Sequence, residues 1–348
     1  MMKASMTWIL LLVLLSTGAR AQDEEPDIPP LGICLESVEY PFPVSFHSFE
    51  SQGQKVKMAY MDVEPEGKAA GTIVLLHGKN FNGAYWRETA SDLREAGWRA
   101  VIPDQLGFGK SSKPLPYHYS FHQLAQNTRE LLEALEVESA VILGHSMGGM
   151  VASRFALMYP ERSQRLVLVN PIGLEDWKAL GVPYRDIDFW YERELKKNAQ
   201  AVRAYQLESY YDGKWKPEYD RWVELLVGMT ASPEYPIMAR TQALTYDMIF
   251  TQPVVHEFGR LSMPTLLIIG TRDRTALGKG WVDDALRAEL GRYDRLGRQT
   301  ARAIPRATLV ELKGIGHMPH IEAYPRYIKP LRAFLADEPV SGAWQPDP

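Results

Sequence analysis

Ser146 sits at the centre of Gly144-His145-Ser146-Met147-Gly148, directly after the apolar run Val141-Ile142-Leu143. A serine hydroxyl is a weak nucleophile. It attacks a carbonyl carbon only when a neighbouring base takes its proton and the backbone holds it clear of other groups. A sharp strand-to-helix turn does the holding, and it needs residues without side chains on both flanks of the serine. Gly144 and Gly148 meet that need. A helix opening just after Ser146 aims its N–H groups and positive dipole end at the place where negative charge would develop.

The matching base is an imidazole whose second ring nitrogen is held by a carboxylate. Among the 8 histidines, His317 is the one in a short glycine-rich loop, Gly314-Ile315-Gly316-His317, after the last apolar run. Asp273 follows the preceding run through Gly270 and fits the carboxylate role. Asp176 and Asp188 are rival acids farther from such a strand end. A tetrahedral oxyanion also needs two backbone donors. Met147, next to the nucleophile, supplies one, and Lys79, after His77-Gly78, the other. The Lys79 side chain has two readings: a solvent-facing ammonium, which is the plain expectation, or an ammonium facing the pocket and favouring an anionic substrate.

These residues need strands that end at one edge. Continuous apolar runs with β-branched residues at 71–78, 99–103, 141–145, 166–169, 264–270 and 307–312 predict parallel strands buried on both faces. Two further strands, 45–50 and 55–63, form a hairpin around Gly53. Helical spacing at 86–96, 121–135, 147–159 and 321–335 separates or follows the strands, with Ser120 placed to cap the second helix. The fold class expected is α/β: a mostly parallel eight-stranded sheet with helices on both faces. Ligands of such sheets bind at the carboxyl ends of the strands. His77, Ser146, Asp273 and His317 all fall just past strand ends.

From 173 to 262 the pattern changes to dense aromatics at helical spacing, which predicts an inserted unit of about four helices. Some of its rings, together with Phe81, Tyr85 and Trp86, are expected to line a mostly apolar substrate pocket. The organisation expected is a signal peptide over 1–21, a leader over 22–43, a core of 44–172 and 263–338, a helical cap of 173–262 and a tail of 339–348.

The first residues are a separate object. Lys3, an apolar run over 8–15 and Ala19-Arg20-Ala21 read as a secretory signal cleaved after Ala21. The run falls short of the roughly 20 residues that span a bilayer. The expectation is therefore export to the periplasm or the exterior, with no stable membrane insertion once the signal is removed. The single cysteine, Cys34, leaves an exported chain without an internal disulfide. A net charge of −4 gives no footprint for nucleic acid. Metal-ligand spacing, a phosphate loop and a dinucleotide fingerprint are all missing from the sequence, so no cofactor is expected. The sequence prescribes no oligomeric state.

Taken together, the motifs resemble the α/β-hydrolase fold family, in the subgroup with a helical cap between the sixth and seventh strands. The matching residues are His77-Gly78, Asp104-x-x-Gly107-x-Gly109-x-Ser111, Gly144-His145-Ser146-Met147-Gly148-Gly149, Gly270-x-x-Asp273 and Gly316-His317-x-Pro319-His320-x-Glu322. They cover about 45–336. The resemblance implies a serine hydrolase and leaves the substrate open. Relatives with an aspartate nucleophile, such as dehalogenases and epoxide hydrolases, are disfavoured by serine at 146. Asp104, His145, His320 and Glu322 are expected to be structural, the last two by packing or capping the final helix. The leading functional expectation is hydrolysis of an ester of a small, mostly apolar substrate. The alternatives are hydrolysis of a carbon–carbon bond or an amide, including an aminopeptidase that would use Glu192, Glu194 or Glu208 to hold a substrate amine. From a different class, a non-catalytic ligand-binding protein on the same scaffold remains, though such proteins often lose a member of the Ser-His-Asp set.

Overall fold

The β-branched runs pair side by side. In the computed structural model, which describes residues 28–345, eight strands form one sheet. They are β1 (Val44–Ser51), β2 (Gln54–Val63), β3 (Gly71–Leu76), β4 (Trp98–Pro103), β5 (Ala140–His145), β6 (Ser163–Val169), β7 (Thr265–Gly270) and β8 (Ala307–Leu312). Their spatial order is β1-β2-β4-β3-β5-β6-β7-β8. The pairs β1–β2 and β2–β4 are antiparallel, and every other pair is parallel. The β1–β2 hairpin turns through Gln52 and Gly53, at φ of 51° and 72°. Two successive residues at positive φ are what a two-residue turn needs to match the strand twist.

Why these runs are apolar throughout is plain from the two cores. Side chains alternate between faces, so a strand covered on both sides needs apolar residues at every position. Ile73, Leu75, Val141, Leu143, Val167, Val169, Leu266 and Ile268 fill one core. Val74, Leu76, Ile142, Leu166, Leu168, Leu267 and Ile269 fill the other. Helices α1 (Arg87–Glu95), α2 (Phe121–Ala134) and α3 (Met147–Met158) follow strands β3, β4 and β5. The Ser120 hydroxyl accepts from Gln123 N–H at 3.0 Å, the cap read from the sequence.

Four α-helices lie between β6 and β7: α4 (Ile187–Leu195), α5 (Ala199–Ser209), α6 (Asp220–Thr230) and α7 (Tyr235–Thr251). Aromatic residues of this inserted segment stack on one another. Trp190 stacks on Tyr246 at 4.1 Å, and Tyr211 on Tyr219 at 3.7 Å. After β7 come α8 (Asp284–Glu289) and α9 (Tyr293–Ala303), and after β8 α10 (Pro319–Glu322) and α11 (Tyr324–Leu335). Leu93 of α1, with Tyr327 and Leu331 of α11, covers one face of the sheet; Phe121, Val151 and Tyr293 of α2, α3 and α9 cover the other.

Three features depart from the sequence reading. Helices α8 and α9 were not anticipated, although Tyr293, Leu296, Gly297 and Thr300 of α9 are buried at helical spacing. The leader, read only as a segment over 22–43, is packed from residue 31. Ile33 and Leu35 are buried against Met229, Tyr235 and Met238 of the inserted helices, and Leu31 N–H donates to the Gly228 carbonyl at 2.9 Å. On the other side, the Tyr40 hydroxyl donates to Asp104 at 2.8 Å. Residues 31–40 thus strap the insertion to the core. The tail is likewise anchored at Trp344, whose N–H donates to the Leu309 carbonyl at 2.7 Å. The expected signal peptide at 1–21, residues 22–27 and residues 346–348 lie outside the described residues. Among the described residues no helix is long and apolar enough to cross a membrane.

Candidate active site

Ser146 occupies the hinge between β5 and α3 at φ 57° and ψ −124°. That is the first central position of a type II′ turn, which glycine dominates. A serine held there carries strain of about 1–3 kcal/mol, the kind of cost found at functional sites. The turn is also crowded. A Cβ on Gly144 would lie 2.1 Å from the Gly148 carbonyl oxygen, and one on Gly148 would lie 2.2 Å from that of Leu76. Both glycines are therefore fixed by the closeness of backbone to backbone. Ser146 retains 7% of its surface.

The expected acid and base meet. His317 Nδ1–H donates to Asp273 Oδ2 at 2.6 Å. His317 Nε2 is buried and has no hydrogen-bond partner among the described residues. The ring is thus held by one nitrogen and offers the other. Asp273 is fully buried and held from two more directions, by Asn170 Nδ2 at 2.8 Å and by Thr275 N–H at 2.8 Å. Asn170 was not singled out in the sequence. It accepts from Gly270 N–H at 2.8 Å, so its amide is oriented with the donor towards Asp273. Its signal was the Asn-Pro pair closing β6 at the same sheet edge. The rival acids are elsewhere: Asp188 pairs with Arg240 at 2.7 Å, and Asp176 with His256 at 2.9 Å.

The inserted helices reach the base through Tyr210. Its ring stacks on His317 at 4.8 Å, and its carbonyl accepts from His317 N–H at 3.2 Å. The Tyr210 hydroxyl accepts from Asn80 Nδ2 at 2.9 Å. Tyr210 therefore touches both the base and the loop after β3. Below it, Glu322 accepts from Gly316 N–H at 3.1 Å and from Arg272 at 2.8 Å, so it pins the His317 loop rather than merely packing the final helix.

The expected oxyanion donors belong to the start of α3 and to the loop after β3, which meet at Ser146. Met147 opens α3, so its N–H has no acceptor within that helix. Gly78 lies against the serine, since a Cβ there would be 3.0 Å from Ser146 Cβ. Lys79 follows it. The solvent-facing reading of its side chain does not hold. The Lys79 ammonium lies beneath α7, 2.7 Å from Gln242 Oε1 and 3.6 Å from the Tyr246 ring centre. Burial draws its pKa down to about 7.

Of the three residues expected to line a pocket, Phe81 faces the insertion, packing on Tyr210 and Trp222 at 6.0 and 5.7 Å. Tyr85 and Trp86 instead belong to the core, where Trp86 is fully buried. Both are buried in the helical turn that follows Asn82, where Tyr85 also meets Trp222 of the insertion at 6.2 Å. The Tyr85 hydroxyl accepts from Gly78 N–H at 2.9 Å and donates to His145 Nδ1 at 3.1 Å. His145 Nε2–H then donates to the His317 carbonyl at 2.9 Å. Tyr85 and His145 thus tie the β3 loop to the base's own backbone. Asp104 has a comparable structural place, accepting from Gly83 and Lys110 N–H at 2.7 Å each.

His77, His145 and His320 are buried with their pKa values pulled below the usual histidine range, in each case mainly by desolvation. The folded protein excludes protons that the unfolded chain takes up below about pH 6.5. Stability is full above that pH and falls below it, by up to about 1.4 kcal/mol per histidine per pH unit. His320→Phe keeps a ring against Trp86 and Tyr85 and removes the two unpartnered ring nitrogens of His320. It should flatten the fall in Tm between pH 6.5 and 5. A Tm profile parallel to wild type over that range would show that His320 is not one of the excluded sites.

Comparison with known proteins agrees with this fold. A family model described as alpha/beta hydrolase fold matches residues 71–324. A solved structure of a probable hydrolytic enzyme from Pseudomonas aeruginosa PAO1 is 53% identical, with a TM-score of 0.86, covering 88% of this chain and 98% of that one. A putative carbamate hydrolase from Pseudomonas syringae pv. syringae is 28% identical over 278 residues, 78% of this chain and 95% of that protein. Lipase 1 of Psychrobacter immobilis is 27% identical over 286 residues, 80% of each chain.

Proposed function

The chain belongs to the alpha/beta hydrolase fold family, and on that premise we propose that it is an exported serine hydrolase cleaving an ester of a small, mostly apolar substrate. The observation that carries the reading is His317, bonded to Asp273 through Nδ1 while Nε2 stays unpartnered. Ser146, on a strained turn at the end of β5, is the proposed source of the proton that this nitrogen takes. A neutral imidazole with Asp273 on Nδ1–H is in the tautomer that accepts a proton at Nε2.

In the proposed reaction the Ser146 hydroxyl attacks the ester carbonyl while its proton passes to His317 Nε2. Asp273 stabilises the imidazolium. The oxyanion accepts from Met147 and Lys79 N–H. Collapse breaks the carbon–oxygen bond, and His317 returns the proton to the leaving alkoxide. Water then attacks the acyl-enzyme through the same base, and carboxylic acid leaves. The inserted helices act as a cap whose Tyr210 steadies His317. Residues 1–21 direct export.

The aminopeptidase alternative meets an electrostatic obstacle. Glu194 is buried and already paired with Lys197 at 2.7 Å, while Glu192 and Glu208 are exposed. A substrate ammonium brought there would also face Lys79. The test is turnover of p-nitrophenyl esters of increasing acyl length. Activity that depends on Ser146 supports the reading. A folded protein that turns over none of them contradicts it.

A further inference from the structure

Lys79 carries a charge that ester cleavage does not use. Its two contacts, the Gln242 amide oxygen and the Tyr246 ring, are both neutral. The buried carboxylate of this region, Glu194, is held by Lys197. The three side chains therefore bring two ammonium groups to one carboxylate. A buried cation without a counter-ion is costly, and the cost falls when an anion joins it. The lowered pKa of Lys79 is a sign of that cost, which Glu194 relieves only in part.

Position gives the charge a purpose. Gly78 is in contact with Ser146, and Lys79 is the next residue. With the Lys79 N–H on the oxyanion, its ammonium lies within about one lysine side-chain length of that donor. Gln242 is held from its other end, where Nε2 donates to the Gly107 carbonyl at 3.4 Å, so its oxygen stays turned to the lysine. An ammonium has three N–H donors, and Gln242 takes one.

We propose that Lys79, oriented by Gln242 and flanked by Tyr246, forms a subsite for a carboxylate on the substrate's own chain. The preferred substrate is then an ester bearing a terminal carboxylate a few methylenes from the scissile carbonyl. The inference rests on the ester-hydrolase reading. The carboxylate restores charge balance to the buried set and accepts the free N–H groups of Lys79. Charge-assisted bonds of this type are worth about ten- to a hundredfold in binding.

The experiment compares kcat/KM for matched p-nitrophenyl esters with and without a terminal carboxylate, hemisuccinate to hemiadipate against butyrate to hexanoate. Wild type, Lys79→Met and Gln242→Leu are measured. The readout is the ratio of the charged to the neutral ester, in which any general loss of activity cancels. The ratio should fall about ten- to a hundredfold in Lys79→Met, through KM, and by less in Gln242→Leu. Equal ratios in wild type and Lys79→Met overturn the subsite while leaving the esterase standing. If no ester is turned over, the esterase reading fails, and calorimetric titration with glutarate decides the subsite instead. Binding to wild type that Lys79→Met loses supports it, and no binding to wild type overturns it.

Discussion

Ser146→Ala should lower kcat/KM on p-nitrophenyl esters by about 10⁴- to 10⁶-fold, with the protein still folded. The size follows from covalent catalysis. Without the hydroxyl there is no acyl-enzyme, and only the oxyanion donors and binding remain to assist water. The backbone gives a control that separates chemistry from folding. Alanine at φ 57° and ψ −124° keeps the strain of serine, so Ser146→Ala should leave Tm nearly unchanged. Ser146→Gly should raise stability by about 1–3 kcal/mol while abolishing activity to the same degree. Gain of stability with loss of function at one residue marks a site kept for its chemistry. Retained turnover in Ser146→Ala, after contaminating esterase is excluded, would falsify the assignment of the nucleophile.

Asp273→Asn should cost on the order of 10⁴-fold in kcat with a much smaller change in KM. The loss arises from hydrogen-bond direction. His317 Nδ1–H now donates to Asp273 Oδ2, which also accepts from Asn170 Nδ2. The Asn170 amide cannot turn over freely, because its oxygen accepts from Gly270 N–H. Thr275 N–H occupies the other carboxylate oxygen. An asparagine at 273 would have to aim its NH₂ group either at Thr275 N–H or at the position that faces both the Asn170 donor and His317. In the last case His317 moves its proton to Nε2 and can no longer accept one from Ser146. A loss below tenfold would show that the carboxylate does not set the tautomer.

How far the site could be read in advance depended on which interactions fix each residue. Six of the eight strands were legible because burial on both faces demands unbroken apolar runs, the β1–β2 hairpin being read from the turn at Gly53, and those six runs carry Ser146, Asp273 and His317 to one edge whatever the loops do. Side-chain direction was less accessible. Lys79 follows Gly78 in a loop, and its burial is decided by α7, more than 150 residues away, where Gln242 and Tyr246 wait for it. Tyr85 and Trp86 were assigned to a pocket on position alone, and both are buried in the turn after Asn82. Tyr210 was one aromatic among many in the insertion. Its contact with His317 depends on how the inserted helices dock, for which the sequence period carries no information. Helix α9 was different: its buried face had ordinary helical spacing, and the arginines at 295, 298 and 302 fell on the opposite side.

The central claim is that Ser146 is activated by His317 for covalent attack. Mass spectrometry of the protein treated with a fluorophosphonate tests it most directly. The account predicts one adduct per chain, located on Ser146, with labelling strongly slowed in Asp273→Asn and lost in His317→Ala. A folded protein that takes up no adduct, or takes it up on a residue other than Ser146, would contradict it.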